Sequence, residues 1–131
     1  MDILAVVLTA AIGFGIGAIW YGVFSRQWVA ASGVPTDARG APIGANSTVL
    51  YGAAYVCILL VGGMMRHAFA MSGIDTLWLG VVSGLGIGLF FISPWITLNV
   101  RYAHRPKILA VIDGGYAAVA CAVMGGALVL I

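Results

Sequence analysis

Among the residues able to do chemistry, Asp113 is the one whose position demands an explanation. It lies about five residues into the apolar run Ile108–Ile131, about 8 Å along a helix that rises about 1.5 Å per residue. A carboxylate at that depth in hydrocarbon costs about 2–3 kcal/mol even on lenient insertion scales, so it must face protein and have a partner. Its helical row, Asp113-Ala117-Cys121-Gly125, is otherwise small and suits a buried seam. Candidate partners lie at the matching ends of other apolar runs: Tyr21, Arg26, Asn99 and Arg101, with Tyr116 one turn along the same helix. Such a cluster can serve three purposes. It can be an ion pair or hydrogen-bond cluster that fixes packing, a proton carrier, or a carboxylate that receives a ligand.

Other reactive types offer less. The chain has no Glu, no HExxH, no phosphate loop and no nucleophile–base pair at hydrogen-bonding spacing, so no catalytic residue and no cofactor is expected. His67 and His104 fall in segments separated by most of a bilayer, which excludes a shared metal or a bis-His haem. Cys57 and Cys121 sit inside apolar runs, far from metal-ligand spacing, and read as small buried hydrophobes. No metal site is expected. Arg66, near the end of its apolar run, reads as a side chain that snorkels to the headgroups. The net charge of +2 is scattered, without the basic stripe that nucleic-acid binding requires.

The elements that must position these residues follow from composition. Of 131 residues, 63% are hydrophobic and 8% charged, with a mean hydropathy of +1.11. A soluble domain is about half apolar and about a quarter charged, so the solvent here is lipid. Crossing the hydrocarbon takes about 20 apolar residues. Four segments qualify: 3–24, 49–71, 76–100 and 108–131. They are too uniformly apolar for barrel strands, which alternate with period two. The expected fold is all-α: a single transmembrane domain over 1–131, an integral membrane four-helix bundle. Its loops are short except for a first loop of about 24 residues, rich in Gly and Pro, whose start at Ser25–Val29 suits an interfacial helix.

Asp75 is placed to cap the third helix, Pro106 suits the first turn of the fourth, and Asn46 or Ser47 suits a cap on the second. The first run is as long as a full span and reads as a retained helix rather than a cleaved leader. Arg26, Arg39, Arg101, Arg105 and Lys107 fall on one side of this topology and Arg66 on the other. The positive-inside rule then places both termini on the non-cytoplasmic side of the cell's inner or plasma membrane.

In lipid, helices associate through close backbone approach, which needs small residues at helical spacing. The third span carries a GxxxGxxxG ridge, Gly80, Gly84 and Gly88; the first has Gly13 and Gly17; the fourth has two parallel small-residue rows. These serve internal packing or self-association, so the partners expected are the lipid bilayer and either a homo-oligomer or a larger membrane complex. Pro94 removes the helical partner of the Phe90 carbonyl and predicts a kink, with the Ser93 hydroxyl a candidate to fill the vacancy. Trp20, Tyr21, Trp28, Trp95 and Tyr102 cluster at the cytoplasmic interface and Trp78 at the other, as an aromatic belt does.

The run Ala18-Ile19-Trp20-Tyr21-Gly22-Val23-Phe24 followed by Trp28 resembles the opening signature of domain-of-unknown-function family 1761. So do Asp113-Gly114-Gly115-Tyr116 and the ending Met124-Gly125-Gly126-Ala127, and the resemblance runs the length of the chain. It departs at Ala117, where a polar residue would follow the tyrosine. The resemblance implies a small four-helix membrane protein and carries no established activity. Small multidrug exporters are similar in size alone, since they place an essential Glu in the first span. The expected function is that of a non-enzymatic self-associating or accessory subunit. The alternative is a small proton- or ion-coupled transporter, or a lipid-binding protein, centred on Asp113.

Overall fold

A computed structural model describes residues 2–44 and 47–131. Four helices in it are long and apolar enough to cross a membrane, Ile3–Val23, Thr48–Ser72, Leu77–Tyr102 and Lys107–Leu130. These lie within one or two residues of the apolar runs, because the length of hydrocarbon to be crossed and the need to pair every backbone group there dictate both. We label the elements α1 (Ile3–Val23), α2 (Ser25–Ser32), α3 (Thr48–Ser72), α4 (Leu77–Ile87), α5 (Ser93–Tyr102) and α6 (Lys107–Leu130). A π-helical turn, Gly88–Ile92, joins α4 to α5 within the third span.

Local chemistry sets the ends. The Asp2 carboxylate accepts from Leu4 N at 3.0 Å and caps α1. Ser47 Oγ accepts from Leu50 N at 3.3 Å and caps α3, while the alternative cap, Asn46, lies outside the described residues. Thr76, rather than Asp75, caps α4, with Oγ1 accepting from Leu79 N at 3.3 Å. The helix begins at Leu77, so only residue 76 is placed to reach the third amide. Pro106 stands immediately before α6 rather than inside its first turn. The helix expected from Ser25 is longer than its first turn suggested and ends at Gly33, which is left-handed at φ 70°.

Pro94 is accommodated by the π turn. Ser93 N–H donates to Gly88 O within it. The single Ser93 hydroxyl proton is shared between the carbonyls of Gly88 at 2.7 Å and Gly114 at 2.8 Å, and does not go to that of Phe90. The wider turn shifts the pairing by one residue, so the hydroxyl ties the break to α6 instead of filling the proline's gap.

The bundle is built around α6. It packs against α1, α2, α4, the π turn and α5, whereas α3 lies along α1 and meets α6 sparsely. The glycines explain the closeness. A Cβ on Gly80 would stand 2.5 Å from Gly125 O, and one on Gly84 or Gly88 would overlap the carbonyl oxygens of Cys121 or Ala117. On the other flank of α6, a Cβ on Gly13 would stand 2.5 Å from Met124 Sδ, and one on Gly17 2.9 Å from the Tyr116 hydroxyl. All five glycines thus face α6 of their own chain. The main apolar cluster, Met65, Phe69, Cys121, Met124 and Leu128, joins α3 to α6 toward the end where α6 finishes.

Candidate functional site

Asp113 faces protein. Its Oδ1 accepts a hydrogen bond of 2.5 Å from the Tyr21 hydroxyl, contributed by the last turn of α1. Tyr21 is held in turn by edge contacts with Tyr116, ring centroids 5.5 Å apart, and with Trp28 of α2, 6.1 Å apart. Tyr116 lies across Gly17, and its hydroxyl donates to Gly13 O at 2.8 Å. Next to this cluster, Trp20 covers Gly115 and donates from Nε1 to Ile112 O at 2.9 Å. Two side-chain hydrogen bonds into α6 backbone or carboxylate and one back to α1 backbone lock the two helices in register.

Of the residues singled out by sequence, the structure therefore brings together Asp113, Tyr116 and Tyr21. It does not bring in Asn99 and Arg101. Both are exposed at the end of α5, and Arg101 lines a different recess with Thr97, Lys107, Ala110 and Val111. The reason is azimuth. Asp113 and the Lys107–Ala110–Val111 row occupy different faces of α6, so one faces the α1 flank and the other faces α5.

Asp113 stands at one end of a cleft of about 470 Å³. Tyr21, Trp28 and Tyr116 surround that end; Cys57, Ile58 and Val61 of α3 and Ile96 of α5 form facing walls; Ala120, Cys121 and Met124 form the floor. The cleft exists because α3 and α5 make no extended contact with each other, so the two arms on either side of α6 leave a gap between them. Its size falls within the roughly 300–1,000 Å³ typical of small-molecule sites. Its chemistry is polarised, with an acid and two phenols at one end and aliphatic or sulfur-bearing side chains elsewhere.

A family model described as a protein of unknown function (DUF1761) matches residues 4–129. The chain belongs to that family. No curated protein and no solved structure matches it.

Three features of the site escaped the sequence. Trp28 had the look of an interfacial belt, but it lines the cleft, while Trp95, Tyr102 and Trp78 do face outward at 68%, 77% and 74% exposure. Cys57 is an exposed cleft residue, not a buried one, whereas Cys121 is buried. Arg66 does not simply reach for headgroups: its Nη1 donates to Leu128 O at 2.6 Å, capping the carbonyl end of α6 with a positive charge.

Proposed function

We propose that this is a non-enzymatic membrane protein that holds an amphiphilic small molecule, a lipid or lipid-like compound, in the cleft beside Asp113. The observation that carries this reading is the gathering of the cleft's acid and two phenols at one end of a largely apolar trough. Asp113 Oδ1 is occupied by Tyr21, while Oδ2 makes no hydrogen bond among the described residues. A carboxylate oxygen accepts, so the polar end of the occupant donates: a hydroxyl, amide or ammonium. Its apolar part lies along Ile58, Val61, Ile96 and Met124.

Holding fits better than proton-coupled transport. Three side chains that a polar path would use are committed to backbone: Ser93 to Gly88 and Gly114, Thr97 to Ser93 O, Tyr55 to Val7 O. The five glycines that suggested self-association are covered by α6, so a second copy or a partner subunit would have to meet other, lipid-facing surfaces. We place the Asp113 end at the cytoplasmic side, supported by Arg26, Arg39, Arg101, Arg105 and Lys107 at that end and by the commitment of Arg66 to α6 at the other. A reporter fused to the C-terminus should then read out as non-cytoplasmic.

The test is native mass spectrometry of gently purified protein with identification of what it retains. Wild type should keep a bound amphiphile; Asp113→Leu should lose it, and Ile96→Trp, which fills the trough without touching the acid, should lose it too. Wild-type protein that emerges empty, or an adduct that survives both substitutions, refutes the reading. Vesicle flux abolished by Asp113→Asn would favour the transporter instead.

A further inference from the structure

Around α6 from the cleft, α5 and α6 frame a second recess that the Asp113 site does not use. Thr97 and Arg101, one turn apart on α5, face Lys107, Ala110 and Val111 on α6 across about 320 Å³. Both cations are exposed, and the two acids at this end are engaged elsewhere, Asp113 by Tyr21 and Asp37 by the Arg39 and Ala41 amides. Thr97 Oγ1 donates to Ser93 O at 2.8 Å, leaving its oxygen as the one uncharged polar side-chain group in the recess among the described residues. Beside the two cations the lining is apolar, Ala110 and Val111, and Val111 faces outward at 66% exposure. The recess lies where the third span ends and the fourth begins, at headgroup level for a helix pair of this length.

Two cations beside an apolar wall are the complement of a phospholipid, a phosphate above acyl chains. The guanidinium offers a fork that matches phosphate oxygens, and the ammonium adds a mobile point charge. Basic recesses between membrane helices at the cytoplasmic surface suit anionic headgroups. We propose that Arg101 and Lys107 bind the phosphate headgroup of an anionic membrane lipid, with one of its chains lying along Val111. The commitment to lipid rather than free phosphate comes from Ala110 and Val111, which offer nothing to a soluble anion.

The experiment presents the full chain in micelles with equal amounts of phosphatidylglycerol and phosphatidylcholine and reads retention by native mass spectrometry. Wild type should favour phosphatidylglycerol. Neutralising the pair, Arg101→Gln with Lys107→Gln, should reduce that preference by about fivefold per cation, about 25-fold together. The charge-conserving pair, Arg101→Lys with Lys107→Arg, should keep most of it. Arg26→Gln with Arg39→Gln removes the same charge from the same end and should leave the preference unchanged. Excess inorganic phosphate should not displace the lipid. The proposal is overturned if the neutralised pair still prefers phosphatidylglycerol, if the Arg26/Arg39 pair loses as much, or if inorganic phosphate competes. Because neither cation touches the Asp113 cleft, an empty cleft and an empty recess would be separate results.

Discussion

Replacing Gly84 by Ala should pry α4 from α6. The atoms that a new methyl would meet are the Cys121 carbonyl and the Cα of Ala122, all backbone, so no side chain can rotate away. The shallower case of Gly80 sets the scale. Its Cβ would stand 2.5 Å from Gly125 O where ordinary contact begins at 3.4 Å, so the helices would have to part by 0.9 Å (3.4 − 2.5). Gly84 requires more. A radial gap of about 0.5–1 Å already forfeits a quarter to a half of the dispersion attraction along a seam. Overpacking of this kind typically costs about 1–3 kcal/mol, and the rigidity of the opposing atoms puts Gly84→Ala toward the upper end. Reversible unfolding in mixed micelles, with denaturing detergent as the perturbant, measures it. The control is Gly86→Ala, two residues away on the same helix with nothing within 4 Å of its Cβ. It should change stability little, or raise it through helix propensity. Equal stabilities for the two variants would refute the account of the seam.

Two further substitutions probe the helix ends. Arg66→Met keeps the apolar stem but removes the charged donor from Leu128 O. It should cost about 1–2 kcal/mol and speed amide hydrogen exchange in the last turn of α6; unchanged exchange would show that the cap contributes nothing. His104 is left-handed at φ 54°, in a turn where its N–H donates to Arg101 O and the next residue's to Val100 O. That is the glycine position of a Schellman cap, so His104→Gly should raise the unfolding free energy by about 1 kcal/mol, and a variant no more stable than wild type would contradict it.

What the amino-acid sequence settles by itself is axial. The four spans, their order and the depth of each residue follow from the thickness of hydrocarbon and the need to pair every backbone group within it. That is why Tyr21, Asn99, Arg101 and Asp113 were all legible as neighbours in height. The cap at Ser47 was legible for a similar reason, being a contact within one turn. Rotation about the helix axis is a different matter, because an all-round apolar helix shows no moment to say which face turns inward. Only packing decided that Asp113 turns to the Tyr21 hydroxyl while Arg101 faces Lys107 across another recess. Packing also directed Gly80, Gly84 and Gly88 onto the backbone of α6, and left α3 apart from α5 so that a cleft remained. Hydropathy specifies how far along the membrane normal a side chain lies; the fit of glycine against carbonyl, and of aromatic ring over glycine, specifies which way it points.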